Sequence, residues 1–188
     1  GSVRLNGKEI HCKSPHEAIE LGIALISENR KEEGILPNFD NKDNISLASM
    51  KKYMSGIVIN DDKKKRNALE KGKQVGLKPN DPAFMTVSLS GGNAQKVILA
   101  RWMSTDATVM IFDEPTKGID IGAKADIYLL MEKMAAEGIA IIMVSSELTE
   151  VMGMSDRILV MSDGKITGEL MKDEFSEESI LNYTVEEN

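Results

Sequence analysis

The sequence of 188 residues contains little cysteine, few aromatic residues and no excess of positive charge. Its single cysteine, Cys12, excludes an internal disulfide framework and is typical of a protein from a reducing compartment. Aromatic residues make up only 4% of the chain, and we interpret the 12 methionines as flexible core packing. The net charge of −7 argues against a nucleic-acid partner, because neutralising phosphates requires clustered lysine and arginine.

Long hydrophobic runs are also missing from the sequence. The apolar segments, of which residues 139–144 are typical, have the length of a β-strand and not of a bilayer span. The first residues lack the basic and then apolar pattern of a signal peptide. We therefore expect a globular domain without direct insertion into a membrane. The composition, with 41% hydrophobic and 28% charged residues, is ordinary for such a domain.

The N-terminal residues predict a β-hairpin, a helix and a strand. Asn6-Gly7 favours a tight turn between two short strands, because both residue types tolerate a left-handed backbone. Ser14 predicts the start of a helix, and Glu17 is placed to complete a capping box. A short buried strand is expected at residues 23–26.

The middle of the chain predicts an inserted helical subdomain. Residues 28–43 are polar and rich in turn residues, which predicts a long loop that is functional or mobile. Residues 44–104 have a mainly helical pattern, and we assign them to a subdomain inserted into a core of residues 1–43 and 105–188. The helices within it are expected near residues 45–50, 62–75 and 92–104.

The last part of the chain alternates between strands and helices. Continuous apolar strands separated by helices predict an α/β fold with a parallel sheet that is covered on both faces. Asp163-Gly164 predicts a second hairpin turn, and residues 176–183 predict a closing helix. The alternating strands are expected at residues 108–112, 139–144 and 157–161, and the helices at residues 123–137 and 147–153.

Two carboxylates, Asp113 and Glu114, follow directly after a buried strand. Open α/β sheets bind their ligands at this edge, outside the carboxyl ends of the strands. Phosphoryl transfer needs one group that holds a magnesium ion and one that orients or deprotonates the attacking water. We assign the first task, through a coordinated water, to Asp113 and the second to Glu114. Many strands end in acidic residues, so this pair alone does not decide the function.

A second candidate site is the sequence Ser90-Gly91-Gly92 at the start of a predicted helix. The two glycines allow a ligand to approach the backbone closely, and the start of the helix offers free N–H groups and a positive dipole end. These features are typical of an anion site. The simpler alternative is a serine that only caps a helix.

The order of these motifs carries a resemblance to a known family. The Ser-Gly-Gly helix start lies about 20 residues before the Asp-Glu pair, which is followed by the sequence Pro-Thr-Lys-Gly-Ile-Asp at residues 115–120. Together the three motifs resemble the signature motif, the Walker B strand and the D-loop of the ABC ATPases. Residues 26–31, 89–96 and 144–147 are similar to the C-terminal ATPase half of bacterial ribose- and galactose-type sugar importers, in which one chain carries two ATPase domains.

This resemblance implies a partial P-loop NTPase core with a parallel sheet, an N-terminal β-hairpin and an inserted helical subdomain. It implies ATP and Mg²⁺ as cofactors, a second ABC ATPase domain in a head-to-tail pair, and membrane permease subunits as partners. It also implies a peripheral position on the cytoplasmic face of the bacterial cell membrane. The roles that it implies are catalysis for Glu114, magnesium binding through water for Asp113 and Glu28, and nucleotide binding for Ser90, Gly91, Gly92, Gln95, Asp120 and Ser146.

The sequence departs from the family pattern in three places. No Gly-Lys pair is followed by serine or threonine, so the phosphate-binding Walker A loop is absent, and in the family it would lie before residue 1. Glu28 stands where the family has the Q-loop glutamine. Ser146 stands where the family has the switch histidine, and a serine cannot carry a proton as an imidazole does. The chain by itself is therefore predicted not to hydrolyse ATP.

Two functions remain open at this point. In the first, the parent protein is the ATP-hydrolysing subunit of a sugar importer, and Glu114 is its general base. In the second, this half is a regulatory module that supplies its signature motif to the ATP site of a partner. The intact Asp113-Glu114 pair favours the first, and the missing switch histidine favours the second. A more distant alternative is an ABC protein acting on ribosomes or chromosomes, against which the acidic charge counts.

Overall fold

A computed structural model describes residues 1–184 of the chain. The structure divides into two compact units, of which the first comprises residues 1–142 and the second begins at residue 143. The division into a core and a helical subdomain of residues 44–104 is a different way of grouping the elements, and it stays a prediction. Within residues 1–184, no helix is both long enough and apolar enough to cross a membrane.

The N-terminal elements form as the turn and cap residues predict. Strands β1 (Val3–Leu5) and β2 (Lys8–Ile10) pair antiparallel, and Asn6 and Gly7 between them adopt positive φ angles of 50° and 76°. Helix α1 (Pro15–Glu20) begins after Ser14, whose side chain accepts a hydrogen bond from the N–H of Glu17. The predicted capping box does not close, because the carboxylate of Glu17 accepts from the N–H of Lys13 instead of Ser14.

The segment after strand β3 (Ile23–Ile26) is more ordered than its polar sequence predicts. It contains a π-helical turn at Arg30–Gly34, and helix α2 (Asn41–Ser46) begins inside the range that was expected to be a loop. A β-carbon built on Gly34 would lie 2.6 Å from Cδ1 of Ile98, so the turn packs closely against a distant helix. This tertiary contact favours a helical turn over a free loop.

The predominantly helical region follows. A 3₁₀ segment at Leu47–Tyr53 leads into a small hairpin that the sequence did not predict. Helix α3 begins after Asn60, whose side chain caps the N–H of Lys63 at 2.9 Å, and helix α4 follows the 3₁₀ turn Thr86–Ser88. The elements of this region are β4 (Met54–Ser55), β5 (Val58–Ile59), α3 (Asp61–Gln74) and α4 (Gly91–Met103).

A buried polar cluster holds this region together. The side-chain amide of Asn44 donates to the carbonyl of Leu36 at 3.0 Å and to Oγ1 of Thr86 at 3.0 Å. Arg101 on α4 donates from Nε to the carbonyl oxygen of Asn44 at 2.7 Å and from Nη2 to its Oδ1 at 3.0 Å. Burial lowers the pKa of the Arg101 guanidinium to about 10. The cluster fixes α2 against α4.

The central sheet has the order β3-β6-β7, with β6 (Val109–Asp113) in the middle, followed by helix α5 (Ile121–Ala136) and strand β7 (Ala140–Val144). Strands β3 and β6 are parallel, as predicted, and Ile26 lies opposite Phe112. One face of these two strands is buried. On the other face Leu25 is 53% exposed, so the sheet is less covered than the sequence predicts.

The second unit contains helix α6 (Leu148–Met154), strands β8 (Arg157–Ser162) and β9 (Lys165–Met171) and helix α7 (Glu177–Asn182). Strand β8 was expected in the parallel sheet, but it pairs antiparallel with β9. The turn between them has positive φ angles at Asp163 and Gly164, as the sequence predicts. The buried core of this unit consists of Ile158, Val160, Leu170 and Ile180.

Candidate functional site

The central strand places the two predicted acidic residues at its carboxyl edge. Asp113 is the last residue of β6 and Glu114 follows it, and both are half-buried. Glu114 adopts a φ of 46°, a left-handed conformation that costs a non-glycine residue about 1–3 kcal/mol. Strain of this kind is kept where the surrounding structure fixes a side chain for a purpose. It marks Glu114 as the stronger functional candidate of the pair.

Lys117 brings a positive charge to these carboxylates. Its Nζ donates to Oε1 of Glu28 at 2.7 Å. The hydrogen bond to Glu28 and its charge raise the pKa of Lys117, and the charges of Glu114 and Asp113 raise it further. Lys117 therefore contacts Glu28 directly and is also influenced by the charges of Asp113 and Glu114.

The two carboxylates that were predicted to contact magnesium, Asp113 and Glu28, have different surroundings. Within residues 1–184, no group of three or more His, Cys, Asp and Glu residues could hold a metal ion by itself. Magnesium ordinarily uses one or two carboxylates and takes its remaining ligands from water and substrate phosphates. The magnesium contact of Asp113 stays a prediction. Glu28, the second predicted contact, is occupied by Lys117 in this structure.

The Ser90 turn begins a helix, as predicted. The side-chain oxygen of Ser90 accepts from the N–H of Asn93 at 3.4 Å, and α4 begins at Gly91, one residue earlier than expected. Ser90 and Gly91 are exposed, so the start of this helix of 13 residues lies at the surface of the described structure. This end of the helix is a suitable anion-binding position.

The two glycines at this helix start have different environments. A β-carbon built on Gly92 would lie 2.7 Å from the β-carbon of Ala123, so Gly92 is required by the packing of α4 against α5. A β-carbon built on Gly91 would meet nothing closer than the carbonyl oxygen of Gly118 at 3.6 Å. A methyl group at Gly91 would make only ordinary van der Waals contacts, so Gly91 is the less crowded of the two glycines.

Asp120 also has a structural role. Its carboxylate caps helix α5 by accepting from the N–H of Ala123 at 3.0 Å. Its Oδ2 lies 3.9 Å from the β-carbon position of Gly92, and the residue is exposed. The structure thus brings the loop after β6 and the start of α4 together within the first unit.

The other two predicted nucleotide contacts are less accessible or lie elsewhere. Gln95 is only 1% exposed, and its Oε1 has no hydrogen-bond partner among the described residues. Ser146 is an exposed residue of the second unit, after β7. The nucleotide contacts of Gln95 and Ser146 stay predictions.

Arg30 contacts the loop after β6, and the sequence interpretation did not predict this contact. Its Nη2 donates to the backbone carbonyl of Lys117 at 2.6 Å. The available signal was an arginine within the polar segment that also contains Glu28. A charged residue in a surface loop is common, and that is why this signal was not decisive.

The sequence matches the family model described as "ABC transporter" over residues 1–117. This range contains the Ser90 helix start, the Asp113-Glu114 pair and Lys117. The chain belongs to the ABC transporter family.

Relatives of this ABC transporter chain are named for sugar import. It is 48% identical over 96% of its length to a putative ribose/galactose/methyl galactoside import ATP-binding protein of Rhizobium etli. It is 47% identical over 98% of its length to an arabinose import ATP-binding protein of Pseudomonas syringae, and 43% identical over 97% to a ribose import ATP-binding protein of Halalkalibacterium halodurans. The matches cover 34%, 37% and 37% of these relatives, so the chain spans about a third of their length.

Solved structures confirm the predicted ABC ATPase fold. A dimeric ATP-binding cassette in a post-hydrolysis state, bound to ADP and Pi, superposes with a TM-score of 0.76 at 21% sequence identity. The similarity covers 93% of this chain and 75% of that cassette. A second cassette, described in its ADP conformation, gives a TM-score of 0.75 and covers 94% of this chain and 73% of its own.

Proposed function

We propose that this ABC transporter chain is part of the ATP-hydrolysing subunit of a bacterial sugar importer of the ribose and galactose type. The observation that carries the proposal is the Asp113-Glu114 pair at the carboxyl edge of the central strand, with Glu114 held at a strained positive φ. The names of the relatives, which describe import ATP-binding proteins for sugars, support the same assignment.

In this proposal the two carboxylates have separate tasks. Glu114 orients or deprotonates the water that attacks the terminal phosphate of ATP. Asp113 contacts a magnesium ion that arrives with the nucleotide, and that ion supplies charge neutralisation for the phosphates when it is bound. Lys117 neutralises Glu28 and reduces the repulsion among the acidic groups around it.

The start of α4 serves a nucleotide on a second ABC ATPase domain arranged head to tail with this one. Ser90, Gly91 and Gly92, together with the amides of the first helical turn, would cap the phosphates of that ATP. Gly91 is exposed and carries no side chain that would keep a phosphate away from these amides. Asp120, at the neighbouring helix start, lies on the same side and completes the contact region.

The proposed coupling region for the permease subunits lies among residues 28–50, at the cytoplasmic face of the bacterial membrane. Its buried hydrogen bonds, centred on Asn44, tie this segment to α4 and therefore to the nucleotide-capping residues. Crosslinking of permease to the full-length protein tests this placement. Crosslinks confined to residues 165–188 would exclude it.

The deciding experiment is Glu114→Gln in the natural full-length protein. Removal of the base is expected to lower ATP turnover by about 10²–10⁴-fold while leaving ATP binding in place. Glu132→Gln, at an exposed position of α5, is the matched control and should leave turnover unchanged. Unchanged turnover in Glu114→Gln would remove the catalytic assignment.

The alternative function is a regulatory half that supplies only its signature motif. Ser146 in place of a histidine favours this alternative, because it removes an imidazole from the site after β7. The alternative predicts that Gly91→Val abolishes turnover while Glu114→Gln does not. The chain of 188 residues alone is expected to show no ATP turnover under either proposal.

A further inference from the structure

Three segments that are distant in sequence meet at Lys117. Its side chain pairs with Glu28, and its backbone carbonyl accepts from Nη2 of Arg30 at 2.6 Å. The same guanidinium nitrogen lies 3.5 Å from the β-carbon position of Gly118 and 4.0 Å from that of Gly91. Arg30 therefore lies between the loop after β6 and the first turn of α4.

We propose that Arg30 is a positioning residue that holds residues 116–120 against the start of α4, so that Ser90 and Asp120 are presented in one arrangement to the ATP of a second domain. The inference rests on the proposed function and deepens it, because it names a residue that controls the capping contact and not the chemical step. Arg30 acts through the backbone of Lys117, and for this reason it is a positioning and not a catalytic residue.

The burial of an unpaired donor makes Arg30 unfavourable for stability, so stability alone does not explain an arginine at this position. Its Nη1 is buried and has no hydrogen-bond partner among the described residues, and burial lowers the pKa of the guanidinium. An unpaired buried donor is unfavourable, so a methionine of similar length would fill the same space without this penalty. The side-chain hydrogen bond that Arg30 makes within residues 1–184 is the one to the carbonyl of Lys117.

The chemistry of the guanidinium suits this position. Its planar fork directs several N–H groups at once, whereas a lysine offers a single compact ammonium on a flexible stem. Gly91 and Gly118 lack side chains, and Gly118 has a φ of 66°, which favours glycine. The absence of two side chains leaves room for the flat group between the helix start and the loop.

The test uses the natural full-length protein with Arg30→Met, Arg30→Lys and Lys117→Met. Lys117→Met removes the ion pair with Glu28 but keeps the carbonyl that accepts from Arg30, so it separates the two contacts. Three quantities are measured for each variant. The first is amide hydrogen exchange at residues 116–120, and the second is the melting temperature without nucleotide. The third is the ATP concentration at which closure of the two ATPase domains is half-complete, measured by energy transfer between labels on the two domains.

We expect Arg30→Met to speed exchange at residues 116–120 and to raise the ATP concentration for half-closure by about tenfold, the effect of losing one charge-assisted hydrogen bond. The melting temperature should stay the same or rise. Arg30→Lys should restore part of the closure, and Lys117→Met should have the smaller effect. This pattern would support a positioning role, because a purely structural residue would lower the melting temperature together with closure.

Two results would overturn the inference. One is wild-type exchange and closure in Arg30→Met, and the other is a loss of closure that only follows a lower melting temperature. A failure of the proposed function is distinguishable from both. In that case the wild-type protein itself would neither close nor turn over ATP.

Discussion

Lys117 and Glu28 are 89 residues apart in sequence, yet their side chains form an ion pair of 2.7 Å. Glu28 follows β3 and Lys117 follows β6, so the pair joins the segments after two adjacent parallel strands. It also occupies one of the two carboxylates that were expected to contact magnesium. The carboxylate of Glu28 is thus engaged by a lysine of its own chain.

The first prediction concerns the strength of this ion pair. Both side chains are partly exposed, at 60% and 38%, so we expect a coupling that salt screens. A double-mutant cycle with Glu28→Gln and Lys117→Met should give a favourable coupling in urea unfolding at about 0.1 M salt and almost none at about 1 M. A coupling that is unaffected by salt would contradict the exposed geometry.

The second prediction separates the two glycines of the helix start. Gly92→Ala should destabilise the chain by about 1–3 kcal/mol, because the new methyl group overlaps Ala123. Gly91→Ala should be neutral or slightly stabilising in the same urea unfolding measurement, because the new methyl group would make only ordinary van der Waals contacts. The control is the double variant Gly92→Ala with Ala123→Gly, which should recover part of the loss. Equal losses at both glycines would contradict the packing.

The third prediction concerns the buried polar cluster. Arg101→Met should destabilise the chain by about 2 kcal/mol, because it leaves the buried carbonyl of Asn44 without its charged donor. Asn44→Ala should cost more, since it removes the side-chain hydrogen bonds to Leu36, Thr86 and Nη2 of Arg101, although the backbone carbonyl of residue 44 remains. The loss of unfolding free energy in the double variant should be smaller than the sum of the two single losses. The exposed Arg66→Met on α3 is the control, and a comparable loss there would contradict the assignment.

The fourth prediction is a pH dependence at the start of α3. Hydrogen bonds donated by Lys42, which has the larger effect, and by Lys65 lower the pKa of Asp61. A lowered carboxyl pKa contributes stability that is present above the ordinary value of about 4 and is lost as the pH falls through the lowered value. Asp61→Asn should therefore reduce the free energy of unfolding at neutral pH, and its difference from wild type should shrink in acid.

Asp62→Asn is the matched control for this measurement. Asp62 lies in the same first turn of α3 and shares the helix dipole, but within residues 1–184 it has no lysine within ion-pair distance. A difference that is the same for Asp61→Asn and Asp62→Asn at every pH would assign the effect to the dipole and contradict the role of Lys42.

Elements with a strong local signal were predictable from the sequence. Asn6-Gly7 and Asp163-Gly164 require positive φ angles, and both turns formed where the sequence places them. Ser14 and Ser90 are polar caps directly before a helix, and each caps the helix that follows. The acidic pair after an apolar strand also lies at the predicted edge of the sheet.

Features that depend on tertiary contacts were not predictable in this way. The hairpin of Met54–Ser55 and Val58–Ile59 has only two residues per strand, too few for an alternating pattern. The π-helical turn at Arg30–Gly34 depends on packing against Ile98, which is distant in sequence. The pairing of Glu28 with Lys117 depends on the register of β3 with β6, and no local pattern contains that information.

The left-handed backbone of Glu114 has a consequence for how this position can change over generations. A glycine would adopt a φ of 46° without steric cost, so selection for folding alone would favour its appearance there. A substitution of Glu114 by glycine would leave a protein that folds but lacks the carboxylate. The glutamate present at that position therefore opposes the conformational preference of the backbone, and Glu114→Gly would remove the strain and the carboxylate together.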